Sequence, residues 1–171
     1  MSLDPSSTRS GYCIMNRSER ILEAGILSGK KQASPEIRIA VMAKDLMDLL
    51  HHWQPGAVII ESTSGKVNRR RHFGRGAGLS ILGLSIGRLW GQVEAWKLTF
   101  APEEQSQLRI VLVRENKWIA GRSKKARQQA VALAYPEYDS SKDSGADASD
   151  AISLALWYLQ ELRIKAIGCG A

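Results

Sequence analysis

The sequence predicts an α/β fold in which a mixed five-stranded sheet carries helices on both faces. Three short apolar segments near the N-terminus are joined by small polar residues, which is typical of strands in an antiparallel meander. After them, strand-like segments alternate with segments of helical period, which favours strand–helix units and parallel pairing. With 171 residues the chain is long enough for one domain with a substantial core, and we expect residues 1–171 to form it.

The first half of the chain contains four predicted strands and one helix. Residues 1–4 form a short apolar segment that ends at Asp4, and strands are expected at 12–15 and 21–27. Pro35 favours the start of a helix, and apolar residues recur at helical spacing until about residue 52. Residues 57–61 are apolar without alternation, as in a buried parallel strand, and they end at Glu61.

The second half begins with a polar, basic loop at residues 62–76 and continues with a predicted helix at 77–96. In that helix Gly83, Gly87 and Gly91 recur every four residues. Each costs about 1 kcal/mol relative to alanine in a helix interior, so the stripe predicts close packing. A strand at 108–113, a loop at 117–119, a basic helix at 122–134 and a polar linker at 135–145 follow, and a last helix begins at Asp147.

Composition restricts the class of partner. The net charge is +7 and the pI is near 9.6, which favours a polyanion, and nucleic acid before a membrane surface. No apolar run approaches the roughly 18 residues of a membrane span, and the first residues lack the pattern of a signal peptide. Cys13 and Cys169 show no metal-type spacing. We therefore expect reduced thiols and a cytoplasmic location.

Four acidic residues stand at positions that favour a shared site. Asp147 and Asp150 are three residues apart at the start of an apolar helix, so they share one face. The positive end of the helix dipole favours their ionised forms, and two parallel carboxylates repel unless a cation lies between them. The alternative is an N-cap residue followed by an ordinary first-turn acid. Asp4 and Glu61 each end a strand, and they would lie side by side if those strands are neighbours.

The residues that carry these acids resemble a known family. The segments DPSSTRSGY at 4–12, VIIE at 58–61 and DASDA at 147–151 are together similar to the RuvC-type Holliday junction resolvases of the ribonuclease H-like superfamily. The resemblance extends over nearly the whole chain. Gly78, Gly87 and Gly91 are similar to the family's central helix, whereas Trp118 followed by Gly121 and two lysines looks more like phage-type members.

The resemblance implies a ribonuclease H-like fold and a Mg²⁺-dependent endodeoxyribonuclease that resolves four-way DNA junctions by paired symmetric nicks. It places Asp4, Glu61, Asp147 and Asp150 in the active site as catalytic residues and metal ligands. Two Mg²⁺ ions per site are expected, with Mn²⁺ as a substitute, because Mg²⁺ prefers hard oxygen ligands and paired ions suit phosphodiester hydrolysis. Asp4 is expected to bridge the ions, Glu61 and Asp147 to complete one each, and Asp150 to add a ligand or an outer contact.

Positive charge is clustered in two segments, one after Glu61 and one around Trp118. Such clusters neutralise phosphates, although a solvated charged face is the alternative. Phe73 is expected either to stack on an unpaired base or to anchor its own loop. The predicted DNA-binding residues are Lys66, Arg69, Arg70, Arg71, Phe73, Arg75, Lys117, Arg122, Lys124 and Lys125. Of these, Lys124 or Lys117 is expected near the scissile phosphate.

A four-way junction has two-fold symmetry, so a homodimer with two sites is the expected assembly. The glycine-striped helix around Leu79, Leu82, Ile86 and Leu89 is the expected dimer surface, and packing of that helix against its own sheet is the alternative.

Competing functions are a related nuclease that acts on other branched DNA or on RNA–DNA hybrids, and a non-catalytic junction-binding protein. Four acids beside a basic path argue against the latter. No nucleotide cofactor is expected, because Ser64-Gly65-Lys66 lacks the first glycine and the hydroxyl residue of a phosphate-binding loop. The histidines lack partners at zinc spacing.

Overall fold

The computed structural model describes residues 1–63, 76–139, 143 and 145–168. The strands are β1 (Ser2–Asp4), β2 (Arg9–Met15), β3 (Ile21–Ser28), β4 (Ala57–Ser62) and β5 (Arg109–Arg114). The helices are α1 (Pro35–Trp53), α2 (Gly76–Lys97), α3 (Pro102–Gln107), α4 (Glu115–Trp118), α5 (Lys124–Ala134) and α6 (Asp147–Gly168). No helix in these ranges is both long enough and apolar enough to cross a membrane.

The five strands form one mixed sheet in the order β3-β2-β1-β4-β5. β1 and β2 are antiparallel, and so are β2 and β3, so these three strands form the N-terminal meander. β1 pairs with β4 in parallel, and β4 pairs with β5 in parallel. The prediction of a mixed five-stranded sheet is therefore confirmed, and three-residue β1 lies at its centre.

Apolar side chains cover both faces of the sheet, as predicted. Adjacent residues of a strand point to opposite faces, so Ile60 contributes to the core under α1 and α2 while Ile59 packs beneath α6. On the first face Leu46 of α1 and Leu89 of α2 are fully buried. The second face is covered mainly by α6, with Val131 of α5 packed beside it.

Two short helices were not predicted. Pro102 opens α3, as proline at a first helical position does. The stretch predicted as a loop around Lys117 and Trp118 forms α4 instead. Because α4 is a single turn that ends on the fully buried Trp118, its stability comes from packing, which periodicity over a four-residue window does not reveal.

The glycine stripe of α2 faces outward. A Cβ atom built on Gly83, Gly87 or Gly91 meets no described atom within 4 Å. Within the described residues the stripe is therefore not packed against its own sheet, and Ser85, Leu89, Val93 and Trp96 form the inner face instead. The prediction that Leu89 belongs to an outer, dimer-forming surface is wrong, because this side chain is fully buried in the core.

Candidate active site

Asp4 and Glu61 lie next to each other at the carboxyl ends of two adjacent parallel strands. In the register of β1 and β4, Leu3 is opposite Ile60, so the next residue along each strand is one of the two acids. The prediction that they lie side by side is confirmed. Both residues are partly buried.

The first turn of α6 is held directly over these strand ends. Gly11 of β2 pairs with Asp4, and a Cβ atom on Gly11 would come within 1.9 Å of the Asp147 carbonyl oxygen. Only glycine leaves room for this approach of two backbones. One turn later, the Ser2 hydroxyl donates a 2.6 Å hydrogen bond to the Ala151 carbonyl. These two contacts bring the Asp147 and Asp150 carboxylates to the acids of the sheet.

Basic side chains contact both acids of the helix. Lys124 Nζ lies 2.8 Å from an Asp147 oxygen and 3.3 Å from an Asp150 oxygen. The Arg9 guanidinium lies 3.6 Å from the other Asp147 oxygen. Arg127 binds Asp150 with both ends of its fork, at 2.6 and 3.0 Å. The helix acids therefore have cationic partners within the chain.

The electrostatics of the two strand acids differ from those of a surface carboxylate. Burial, followed by the negative charges of Glu61 and Asp150, raises the pKa of Asp4 well above its usual range. Burial and the charges of Glu115 and Asp150 raise the pKa of Glu61 to about 7, although Trp118 and Arg127 act in the opposite direction. The local positive charge therefore does not fully compensate the acidic cluster.

Asp143 is a structural residue in the segment 135–145, which was predicted to be a polar linker. It is buried and accepts hydrogen bonds from the backbone N–H groups of Ala148 and Ser149 and from the Ser149 hydroxyl. These contacts satisfy N–H groups that the first turn of α6 leaves unpaired. An acid just before a helix is a recognisable cap signal, although Asp143 lies further from the first helical residue, Asp147, than an N-cap residue does.

The predicted DNA-binding residues separate into two groups. Lys66, Arg69, Arg70, Arg71, Phe73 and Arg75 lie outside the described residues. Lys117, Arg122 and Lys125 are exposed on the α4–α5 segment, whereas Lys124 reaches the acidic cluster itself. Arg127 belongs to the second basic segment but was not among the predicted site residues, although it lies three residues after Lys124 and a helix places such residues on one face.

The four carboxylates of this cluster provide the type of ligand that a hard divalent cation prefers. The cluster offers carboxylate oxygens without thiols or imidazoles, and burial together with neighbouring carboxylates raises the pKa values of Asp4 and Glu61. In the present arrangement, no three described His, Cys, Asp or Glu residues are placed to ligate one ion. Lys124, about half exposed, is the cationic group between the helix acids, so a metal ion would compete with its ammonium group.

Comparisons with known proteins agree with this architecture. No protein-family model matches the chain. It is 23% identical over 165 residues to the crossover junction endodeoxyribonuclease RuvC of Prochlorococcus marinus, covering 94% of this chain and 96% of that protein. It is 26% identical over 173 residues to the RuvC of Thermomicrobium roseum, covering 95% and 93%.

Solved structures show the same fold. A Thermus thermophilus RuvC in complex with Holliday junction substrate superposes with a TM-score of 0.66 at 17% identity, covering 95% of this chain and 92% of the other. Another T. thermophilus RuvC structure gives a TM-score of 0.62 at 17% identity, with 95% and 94% covered. The chain thus has the fold of these RuvC structures and is similar in sequence to two RuvC proteins over nearly its whole length.

Proposed function

We propose that this protein is a divalent-metal-dependent endodeoxyribonuclease that resolves four-way DNA junctions by paired symmetric nicks. The observation that carries the proposal is the convergence of four acids, Asp4 and Glu61 from the sheet and Asp147 and Asp150 from α6, in a chain similar to RuvC proteins over 94% of its length. Acids crowded together in a partly buried site are costly to the fold, which favours a functional reason for them.

The same four acids would hold the metal, with Mg²⁺ as the physiological ion, Mn²⁺ as a substitute and two ions per site. When bound, such ions activate water and stabilise the charge that develops on the phosphate. Asp4 has the central position, because both Glu61 and the helix acids contribute to its raised pKa. Asp4 would therefore be the central ligand, Glu61 and Asp147 would each contribute further oxygens, and Asp150 would add a ligand or an outer contact.

Lys124 is the basic residue best placed for the scissile phosphate. Burial lowers its pKa, but the hydrogen bond to Asp147 and the charges of Asp150 and Asp4 raise it by more, so the ammonium group stays charged. A long side chain that is about half exposed can turn from the acids to a phosphate without disturbing the core. Lys117, Arg122 and Lys125 extend positive charge along the neighbouring α4–α5 surface.

The predicted loop contacts, Lys66 to Arg75, follow β4 directly in the chain, and we keep them as proposed DNA-binding residues. Contacts of this kind make junction affinity fall steeply with salt.

The outward face of α2 suits a homodimer: Leu84 and Trp90 are exposed beside the open glycine stripe. Two sites related by two-fold symmetry would match the two cuts that a junction requires. We place this activity in the cytoplasm.

The test is cleavage of an end-labelled synthetic four-way junction with Mg²⁺, compared with linear duplex and with an RNA–DNA hybrid. We expect paired nicks at symmetric positions of the junction, no cutting of the duplex, and no cutting in EDTA. Cutting of the hybrid or of flaps would support metal-dependent cleavage but would overturn the proposed specificity for four-way junctions. Tight junction binding without cleavage in either Mg²⁺ or Mn²⁺ would move the protein to the class of binding proteins.

A further inference from the structure

Arg127 is a buried arginine inside the acidic cluster that neither the family resemblance nor the proposed chemistry uses. Its side chain is only 8% exposed. Arginine is rarely buried to this degree unless every part of its guanidinium has a partner. Its contacts show that it is fixed from three directions.

The first contact is with Asp150. Arg127 donates hydrogen bonds from Nε and Nη2 to the two carboxylate oxygens, at 2.6 and 3.0 Å. This bidentate pairing defines the plane of the carboxylate as well as its position. A carboxylate offers about four lone-pair directions, so the pair leaves Asp150 able to interact on its other side.

The remaining contacts fix the arginine itself. Its Nη1 atom donates a 2.8 Å hydrogen bond to the Arg122 carbonyl, two residues before α5. Its guanidinium carbon lies 5.2 Å from the ring centroid of Trp118, within cation–π range. Trp118 in turn is buried among Ile59 of the sheet and Leu154 of α6. The guanidinium therefore connects the core beneath α6 to the carboxylate.

The same guanidinium also acts on the sheet acids, because its positive charge favours ionised Glu61. Arg127 thus binds one acid of the helix and acts through its charge on one acid of the sheet, which offsets repulsion between these carboxylates. Lys124 differs from Arg127 in exposure, because its side chain is about half exposed whereas that of Arg127 is buried.

We propose that Arg127, held by Trp118 and the Arg122 carbonyl, is a positioning residue that orients Asp150 and holds it beside the other acids of the cluster, from which a divalent cation would take its ligands. The inference rests on the proposed metal-dependent function and deepens it. It implies that Asp150 acts chiefly through a fixed orientation, and that lysine at position 127 is an inadequate substitute because it offers one point charge where arginine offers a planar fork.

The experiment compares the wild type with Arg127→Lys and Arg127→Met. The matched control is Arg163→Met, at the far end of α6, where an exposed arginine pairs with Glu19 at 2.6 Å. Mg²⁺ is titrated without DNA and binding is followed by the shift in melting temperature. Junction cleavage then gives kcat and KM at saturating Mg²⁺.

We expect the half-saturating Mg²⁺ concentration to rise about 10- to 100-fold in Arg127→Met, and to a lesser extent in Arg127→Lys. We also expect kcat to fall in both while KM for the junction stays within about twofold, since a positioning residue does not touch the DNA. Arg163→Met should match the wild type in both assays. If Arg127→Met does not fold, Arg127→Lys decides the question.

An Arg127→Lys variant that melts at a lower temperature but keeps wild-type Mg²⁺ half-saturation and kcat would overturn the inference and leave the proposed function standing, because the arginine would then be purely structural. A wild-type protein that shows neither a Mg²⁺-dependent shift nor cleavage would overturn the proposed function, and the inference with it.

Discussion

Helices α2 and α6 are both 22 residues long, yet they meet the rest of the chain in opposite ways. The N-terminal half of α6 is almost entirely enclosed, with seven buried residues between Ala148 and Ala155. α2 buries a narrow inner stripe and turns its glycines, together with Leu84 and Trp90, away from the sheet.

Each of the two helices contains residues that are locally unfavourable, but for different reasons. In α6 the cost is electrostatic, because acids are crowded over the acids of the sheet. In α2 the cost is conformational, because glycines weaken a helix without gaining contacts among the described residues. Such departures concentrate where function constrains the sequence. We relate the first to metal and DNA chemistry within the chain and the second to contact with another copy.

The most severe test of the α6 site is Asp4→Asn. Removing the central carboxylate should lower kcat at least about a thousandfold, equivalent to about 4 kcal/mol of transition-state stabilisation, while junction binding changes little. Cleavage and gel-shift assays measure the two effects. Asp48→Asn, on the exposed surface of α1, is the control with the same chemistry. Mg²⁺-dependent cutting at a normal rate by the Asp4 variant would refute the site.

The position of α6 on the sheet is tested by Gly11→Ala. The added methyl group would overlap the Asp147 backbone, so the start of the helix must shift. We expect a loss of about 1–3 kcal/mol in the free energy of unfolding, together with reduced cleavage. Gly56→Ala provides the control, because a Cβ atom there meets nothing within 4 Å. Equal stability of the two variants in chemical denaturation would contradict the close approach.

The electrostatic cost of the site is tested by Glu61→Gln in EDTA. The folded pKa of Glu61 is about 7, above its ordinary value of 4.5. The folded state therefore holds its proton more tightly, and this contribution to stability is present below pH 4.5 and is lost as the pH rises through 7. At pH 8 the glutamine variant should melt about 2–4 °C higher than metal-free wild type, corresponding to about 1 kcal/mol.

At pH 4.5 that advantage should disappear, since wild-type Glu61 is then protonated in the folded state. Thermal unfolding followed by circular dichroism across this pH range measures the difference. A glutamine variant less stable than the wild type at pH 8 would show that positive charge already compensates the acid.

The outward face of α2 is tested by Gly87→Ala, for which we expect the smallest effect. Alanine should stabilise the isolated helix by about 1 kcal/mol and weaken self-association several-fold by holding two helices apart. Sedimentation equilibrium measures the dissociation constant. Gly56→Ala again serves as the control. An unchanged dissociation constant in a protein that does dimerise would place the interface elsewhere.

Much of this architecture follows from local pattern. Apolar runs and turn residues predict five strands in the order in which they occur along the chain. Asp4 and Glu61 are identified because each ends a predicted strand. The spacing of Asp147 and Asp150 places them on one face of a helix. These predictions succeed because strand and helix periodicity depend on residues close together in the sequence.

Other features follow only from contacts between distant segments. The direction of the glycine stripe, the single-turn helix that ends at Trp118 and the burial of Asp143 all depend on what packs against them. The sequence by itself determined the fold class, the positive charge and the identity of the four acids. Only the tertiary structure decided which cations partner them, because Arg127 and Asp150 are 23 residues apart in sequence and lie on two helices whose approach is set by the sheet beneath them.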